Sequence, residues 1–303
     1  MASRNPIGTA IIAAFMRGFH AVNDNPKIFN DTLAYELLPE EVREGLKQHL
    51  TESAAQMAPE LAKECVDAEA SFRLAVHTMA GPFLARARFV EDRLEDAIGK
   101  GISQYVILGA GLDTFAFRRL DLADRLQVFE LDLPGVQEIK QQRLAQLNLP
   151  KPHNLHFIPV DFTQQTLTSV LTIAEYDPRR LSFFSWMGVT QYLPLEAVWA
   201  TLKDITSISA ASSEIVFDYY DKLAFDPEKT PKRLKYIMES TKSIGEAIIT
   251  GFDSSKLSTE LAHLGLRLLD NLGPEEMQQR YFKECTQGYS AGDYIHLACA
   301  EVI

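Results

Sequence analysis

Apolar and polar residues recur along this chain with two periods, one typical of helices and one typical of strands. In about the first hundred residues the apolar positions have helical spacing, as in 9–21, where Ile12, Phe15 and Phe19 share one face. A long helical pattern also covers 71–98, and a Gly-Pro pair inside it is expected to break the helix. The pattern therefore predicts a helical N-terminal part.

From residue 101 onward, short apolar runs rich in β-branched and aromatic residues alternate with helical segments. The runs predict strands at 104–108, 126–129, 155–160, 181–186, 214–218, 265–269 and 294–302. Strands that alternate with helices are typical of parallel pairing, and a late pair of strands often adds one antiparallel member. The sequence thus predicts an α/β fold with a doubly wound, mostly parallel sheet.

The same pattern suggests how the chain is organised. We expect an N-terminal helical cap at 1–100 and a core at 101–303, which together form one structural unit. Segment 220–250 is charged and helical and has no strand pattern, so we interpret it as a helical lid inserted into the core. A length of 303 residues suits one large α/β domain with such additions.

Composition and charge narrow the classes of partner. The formal net charge of −11 and the pI near 5.2 argue against a nucleic-acid partner, which would require a basic face. Apolar runs stay below membrane-spanning length and the N-terminus lacks a signal cleavage site, so we expect a cytoplasmic protein without a membrane partner. Cys65, Cys285 and Cys299 are too far apart for a disulfide framework or a zinc pattern, and no metal is expected.

A glycine-containing turn follows the first predicted strand. Gly109 and Gly111 lack a Cβ atom, so the backbone can adopt positive φ and a ligand can lie against it. The next strand delivers two acids, Glu130 and Asp132, at its carboxyl end. Asp132 lies roughly 20 residues after the first glycine, near the spacing at which such folds bind a ribose hydroxyl. The stretch is typical of a nucleotide-binding βαβ unit.

The turn differs from that of a dinucleotide-binding protein. Thr114 stands where the third glycine of the G-x-G-x-x-G pattern would allow close packing of helix and strand. Asp113 lies in the same turn, and its negative charge would repel a pyrophosphate but would tolerate a cation. A ribose-bearing ligand with a positive centre and no phosphate fits better, and S-adenosylmethionine is the common one. A purely structural turn remains an alternative.

Five segments then carry a more specific resemblance, namely VILGAGLDTFAFR, VFELDLP, FIPVDF, SWMGVTQYLPLEAV and TGFDSSKLSTELAHLGLRLLDNLGPEEM. Together they resemble the leucine carboxyl methyltransferase family and its bacterial relatives, which are class I S-adenosylmethionine-dependent methyltransferases. The resemblance covers nearly the whole chain, from about residue 9 to the end. It implies a seven-stranded, Rossmann-like sheet with N-terminal helices and an inserted lid that enclose a small acceptor.

The resemblance also implies cofactor contacts. Arg86 would pair with the methionyl carboxylate through its planar guanidinium, although a solvated arginine is the alternative. Gly109, Ala110 and Gly111 would line the methionine and the ribose. Asp132 would accept hydrogen bonds from the ribose hydroxyls, unless it is only the N-cap of the next helix.

Two further positions complete the implied cofactor site. Asp161 and Phe162 match the pair that lies beside the adenine in the family, although Asp161 would equally suit a helix cap. Met187 stands where the eukaryotic members carry a glutamate, so the contact of that glutamate near the methionine amino group is lost. The Gly109 carbonyl or another backbone oxygen would then hold the amine.

The acceptor determines which catalytic groups are needed. A sulfonium methyl is already activated, so in-line transfer needs a positioned nucleophile and the exclusion of water. A carboxylate acceptor requires no general base, whereas a hydroxyl does, and His20 and Tyr192 are the candidates. Candidate acceptor-binding residues are Arg17, Phe19 and Trp186.

Three alternatives to O-methylation of a small molecule stay open. They are methylation of a protein C-terminal carboxyl group, a nicotinamide-dependent oxidoreductase, and a non-catalytic binding protein that retains the fold. Thr114 in the third glycine position argues against the oxidoreductase.

Overall fold

The computed structural model describes residues 8–162, 164–285 and 287–303. The chain divides into two compact units. The first comprises the chain up to Arg88 together with Leu223–Ile248 and Gly273–Ile295. The second comprises Phe89–Lys222, Ile249–Leu272 and His296–Ile303. The predicted division into a helical cap at 1–100 and a core at 101–303 with a lid at 220–250 stays a prediction.

Helices make up most of the first unit and flank the strands of the second. Short 3₁₀ helices occur at Leu120–Leu122, Thr190–Tyr192 and Lys222–Phe225. The described residues form twelve α-helices: α1 Gly8–Asn23, α2 Thr32–Glu36, α3 Glu40–Met57, α4 Pro59–Ala62, α5 Ala68–Gly99, α6 Phe115–Arg118, α7 Pro134–Gln146, α8 Leu167–Thr172, α9 Leu195–Ile208, α10 Lys232–Ser243, α11 Leu257–His263 and α12 Pro274–Tyr281.

One sheet lies in the second unit, with the strand order β3-β2-β1-β4-β5-β8-β7 and with β6 paired to β5. Strands β1 to β6 pair in parallel, whereas β7 and β8 are antiparallel. The strands within the described residues are β1 Gln104–Leu108, β2 Gln127–Asp132, β3 Leu155–Pro159, β4 Ser182–Trp186, β5 Glu214–Asp221, β6 Gly251–Phe252, β7 Leu266–Leu272 and β8 Ile295–Val302.

The predicted fold class is confirmed. Every residue of β1, β4 and β5 is buried, as expected for central strands covered on both faces, and this burial explains their continuous apolar runs. The sequence did not predict β6, because two residues are too few to show a period. It also ended β5 at residue 218, three residues early, because Asp218 interrupts the apolar run.

The parallel register places the carboxyl ends of β1, β2 and β4 at one edge of the sheet. Leu108 of β1 pairs with Leu131 of β2, and Trp186 of β4 pairs with Phe217 of β5. The residues that follow β1, β2 and β4 therefore leave the sheet at its carboxyl edge. Parallel sheets of this kind bind their ligands at that edge.

Helix α5 continues through Gly81 and Pro82, where the sequence led us to expect a break. Pro82 has no N–H to donate to the carbonyl of Thr78, four residues earlier. The guanidinium of Arg233, on α10, replaces this missing donor and donates to the Thr78 oxygen at 2.9 Å. The interruption is therefore compensated by a side chain from elsewhere in the first unit.

Within the described ranges, no helix combines the length and apolar character that crossing a membrane requires. Among the same residues, no three His, Cys, Asp or Glu side chains are grouped so that they could hold a metal ion. Cys299 is buried, Cys65 and Cys285 are partly exposed, and all three are free thiols.

Candidate cofactor site

The turn after β1 has the backbone conformation that its glycines allow. Gly109 has φ of +70° and Gly111 has φ of +52°, both in the region that L-residues rarely adopt. The N–H groups of Gly109 and Ala110 both donate to the carbonyl of Leu131, at 2.9 and 3.1 Å. The turn is thus fixed to the end of β2 by backbone hydrogen bonds.

Gly109 also meets a close neighbour. A Cβ atom at this position would lie 2.5 Å from Cγ2 of Val189, in the segment that follows β4. Real Cβ contacts are essentially never this short, so a side chain at 109 would displace Val189. The turn after β1 and the segment after β4 therefore lie directly against each other.

Asp132, the last residue of β2, is held in place by two backbone amides. Its Oδ2 accepts from the N–H of Gly111 at 2.6 Å, and its Oδ1 accepts from the N–H of Leu133 at 2.7 Å. The N-cap position of α7 is Leu133, so Asp132 is not the cap of that helix. A carboxylate oxygen can accept more than one hydrogen bond, and this orientation suits a ribose diol beside the glycine turn.

Helix α6, which follows the glycine turn, is short. It has four residues, and Oδ1 of Asp113 accepts from the N–H of Phe115 at 2.7 Å, at its first residue. A single turn carries only a small dipole, and its first amide already has an acceptor. The helix end is therefore a poor phosphate site, in agreement with the acid that the sequence places there.

Glu130, the other acid of β2, lies in the interior and not at the edge. It forms an ion pair with Lys140 of α7, and both side chains are 1 % exposed. Burial raises the pKa of Glu130 to about 7, while the neighbouring Lys140 acts in the opposite direction. Gln137 of the same helix donates to the carbonyls of Glu130 and Ile158 at 2.8 and 3.1 Å. These contacts fasten α7, which begins beside Asp132, to the sheet.

The segment after β4 contains Met187, which is partly exposed at the carboxyl edge. Gly188 follows with φ of +72°, and its N–H donates to Oδ1 of Asp218 at 2.6 Å. Tyr192 is partly exposed and ends the 3₁₀ helix that begins at Thr190. The structure therefore places Met187 and Tyr192 in the same short segment.

Asp161 and Phe162 follow β3 and are both partly exposed. Oδ2 of Asp161 accepts from the side-chain amide of Gln164 at 2.9 Å. The cap of the following helix is Thr166, whose hydroxyl accepts from the N–H of Ser169 at 3.2 Å. Asp161 is thus not a helix cap.

Arg86 lies in the part of α5 that belongs to the first unit and is partly exposed. Its guanidinium carbon is 5.7 Å from the centroid of the Phe83 ring. Its predicted contact with the methionyl carboxylate stays a prediction.

His20, proposed from the sequence as a general base, is completely buried in the first unit. Its Nδ1 lies 2.9 Å from Oδ2 of Asp24, and its Nε2 accepts from the N–H of Ile28 at 2.8 Å. Tyr289 also donates to the Asp24 carboxylate. Because the acceptor nitrogen already holds a backbone amide, this geometry favours a structural role for His20.

The three residues proposed to contact the acceptor have partners of their own. Arg17 pairs with the buried Asp31 at 3.0 Å, and the side chain of Asp31 caps α2. Phe19 is 5 % exposed and packs edge to face against Phe72 at 5.1 Å between centroids. Trp186 is 1 % exposed within the core of the second unit. These surroundings are typical of core residues and of residues that support a helix cap. Contact of any of the three with an acceptor stays a prediction.

Sequence reasoning overlooked three residues that shape the candidate site or fix the helix beside it. They are Val189, which covers Gly109, Lys140, which pairs with Glu130, and Asp218, which holds Gly188. A signal existed for Asp218 alone, since it is an acid at the end of an apolar run, as Asp132 is. Val189 has no sequence signal, because its contact with Gly109 joins segments far apart in the chain. Lys140 has none either, because its burial against Glu130 depends on how α7 packs on β2.

Comparison with known proteins supports the resemblance found in the sequence. The model of the leucine carboxyl methyltransferase family matches residues 10–206. YktD of Bacillus subtilis (strain 168), provisionally named an S-adenosyl-L-methionine-dependent methyltransferase, is 32% identical over 290 residues, which is 95% of each protein.

Solved structures support the fold. A DUF574 family protein from Streptomyces avermitilis MA-4680 matches with a TM-score of 0.62 and 12% identity, over 99% of each chain. A protein from Thermobifida fusca YX, provisionally described as a methyltransferase, matches with a TM-score of 0.55 and 14% identity, over 95% of this chain and 94% of that one. The family match and the relationship to YktD set aside the oxidoreductase and the non-catalytic alternatives. The chain belongs to the leucine carboxyl methyltransferase family and is an S-adenosylmethionine-dependent methyltransferase.

Proposed function

We propose that this enzyme methylates an oxygen atom, of a carboxylate or a hydroxyl group, on a small-molecule acceptor. The family description supports an oxygen acceptor, since leucine carboxyl methyltransferases are named for a carboxyl group. Met187 supports a small molecule, because the glutamate of the eukaryotic protein-modifying members is absent here. We further propose that it acts in the cytoplasm.

The proposed cofactor site is the carboxyl edge of the sheet. Gly109, Ala110 and Gly111 would lie along the methionine and the ribose, and Asp132 would accept from the ribose hydroxyls. The orientation of the Asp132 carboxylate by the amides of Gly111 and Leu133 is the observation that carries this proposal.

The ends of the cofactor would be held by three further groups of residues. Asp161 and Phe162 would contact the adenine through a carboxylate and a ring, as the resemblance implies. Met187 would lie near the methionine amino group, which needs a backbone oxygen as its acceptor. Arg86 would pair with the methionyl carboxylate.

Bound S-adenosylmethionine would supply an activated methyl group. The protein then has to hold the acceptor oxygen in line at about 3–3.5 Å and exclude water. A carboxylate acceptor needs no proton removed, and this fits the engaged nitrogens of His20. For a hydroxyl acceptor, Tyr192 remains our candidate base.

Transfer of labelled methyl from S-adenosylmethionine into a bacterial extract tests the acceptor class. We expect label in the low-molecular-weight fraction after incubation with the enzyme and none with heat-inactivated enzyme. Mild alkali releases methanol from a methyl ester but not from a methyl ether, so it separates a carboxylate from a hydroxyl acceptor.

The second candidate function is methylation of a protein carboxyl group, which the family description favours. Alkali-labile label confined to the protein fraction would establish that function and overturn the small-molecule proposal. Label on nitrogen or carbon atoms of the product would overturn the proposal of O-methylation.

A further inference from the structure

The segment after β4, residues 187–193, is fastened to β5 by one acid. Asp218 is completely buried, and its Oδ1 accepts from the N–H of Gly188 at 2.6 Å. Its backbone carbonyl accepts from the hydroxyl of Thr190, also at 2.6 Å. One residue thus holds the segment through both its side chain and its main chain.

The position of Asp218 follows from the register of the sheet. Trp186 is the last residue of β4 and pairs with Phe217, so Asp218 comes one position beyond the last pair. The chain turns away at Gly188, which has φ of +72° and lies beyond the last residue of β4. The Asp218 carboxylate supplies the acceptor for the Gly188 N–H where the chain leaves the sheet.

The same segment is fixed at two other places in the second unit. The carbonyl of Gln191 accepts from the N–H groups of Ile249 and Thr250 at 2.8 and 3.2 Å. Val189 lies over Gly109 so closely that no Cβ atom would fit between them. The segment therefore forms a fixed wall against the glycine turn.

We propose that Asp218 is a positioning residue for S-adenosylmethionine, which it does not touch. By holding Gly188 and Thr190 it sets where Met187 and Val189 lie relative to the glycine turn. This inference rests on the proposed placement of the cofactor at Gly109–Gly111. The side chain acts through the hydrogen bond that it accepts from Gly188, so an asparagine, which keeps an acceptor oxygen, should preserve that part of the role. The main chain acts through the hydrogen bond that it accepts from Thr190.

Four variants test the inference: D218A, D218N, T190V and D221A. D221A is the matched control, because Asp221 is the last residue of β5, is buried, and accepts from the hydroxyl of Ser254 at 2.6 Å. The readouts are the dissociation constant for S-adenosylmethionine by calorimetry, the melting temperature, and hydrogen exchange of residues 187–193 without ligand.

We expect D218A to weaken binding about tenfold or more, as the loss of one charge-assisted hydrogen bond would. D218N should stay within about threefold of wild type, T190V should weaken binding about two- to fivefold, and D221A should bind like wild type. Exchange at 187–193 should rise in D218A and T190V and stay unchanged in D221A. T190V alone decides the outcome if D218A does not fold.

The inference is overturned if T190V and D218A, each as a single variant, both bind S-adenosylmethionine with wild-type affinity. If D218A does not fold, wild-type affinity of T190V overturns it. Equal weakening by D218A and D221A would also overturn it, because the effect would then not be specific to Asp218. So would equal weakening by D218N and D218A, because D218N keeps the acceptor oxygen for Gly188. The placement of the cofactor is tested separately with D132A. If D132A binds normally, the proposed site itself fails, whereas weak binding by D132A and normal binding by the Asp218 and Thr190 variants removes the positioning role alone.

Discussion

At the scale of single residues, the candidate cofactor site depends both on a glycine without a side chain, Gly109, and on a carboxylate with a fixed direction, Asp132. Gly109 provides a positive φ and leaves room for Val189, and the two requirements are independent of each other. Asp132 provides a carboxylate whose direction is set by neighbouring amides before any ligand arrives. A preoriented group of this kind loses little freedom on binding.

Replacement of Gly109 by alanine tests both requirements. G109A should lower the melting temperature and weaken S-adenosylmethionine binding, because the new Cβ atom would lie 2.5 Å from Cγ2 of Val189 and would need an unfavourable φ. The double variant G109A/V189A should recover part of the melting temperature, since it removes the clash but not the strain. Calorimetric scanning checks this, and a double variant no more stable than G109A would contradict the close contact.

At this scale the sequence predicted features that depend on neighbouring positions. The glycine turn and the place of Asp132 at the end of β2 were both expected from their spacing. The contacts of these residues with a cofactor stay a prediction. The interior position of Glu130 was not predicted, because it depends on Lys140, ten residues later on the next helix. The burial of His20 also could not be predicted from the sequence, which is why we considered this residue as a general base.

At the scale of elements, hydrogen bonds and ion pairs of polar side chains fix the positions of two helices. Helix α7 is held to β2 and β3 by Gln137 and Lys140. Helix α5 continues through Pro82 because Arg233 satisfies the Thr78 carbonyl. Periodicity predicted the helical stretch at 71–98 but not the contact with Arg233, which explains why we expected a break in α5.

The buried ion pair predicts a pH-dependent effect of one substitution. K140M should lower the free energy of unfolding by about 3–5 kcal/mol at pH 8. Loss of Lys140 raises the pKa of Glu130 further, so the folded state must either keep a buried carboxylate without a partner or take up a proton. The pKa of Glu130 is already raised to about 7, so at pH 5 its carboxyl group is protonated and the loss should be smaller.

Denaturant titration at both pH values measures this difference. E130L/K140M is the control, and it should be more stable than K140M at pH 8 because no charge is left unpaired. An equal loss for K140M at pH 5 and pH 8 would contradict the assignment of a buried, ionisable Glu130.

The compensation of Pro82 predicts an interaction between two substitutions. R233M should lower the free energy of unfolding by about 1–3 kcal/mol, because it leaves the Thr78 carbonyl without its donor. In a P82A background the loss should be smaller, since an alanine at this position supplies the missing N–H. Denaturant titration of the four proteins measures the coupling, with K235M as an exposed control on the same helix. Equal losses in the two backgrounds would show that Arg233 acts independently of the proline.

At the scale of the whole molecule, alternation of strands and helices was enough to predict the fold class. The late pair of strands suggested an antiparallel member, which β7 and β8 provide, but the order of the strands could not be read from the pattern itself. The boundaries of the two units were harder to foresee. Residues 273–295 belong to the first unit although they follow β7 in the chain, because their grouping depends on contacts made after folding.

The central claim is that S-adenosylmethionine binds at the carboxyl edge of the sheet, between the glycine turn and Asp132. Calorimetric titration of S-adenosylmethionine into wild type, D132A and D124A tests it most directly. Asp124 is the control because its side chain is 96% exposed. We expect D124A to bind like wild type, and D132A to bind about 10- to 100-fold more weakly while keeping its fold, the effect of losing charge-assisted hydrogen bonds to a ribose. A folded D132A that binds with wild-type affinity would contradict the claim.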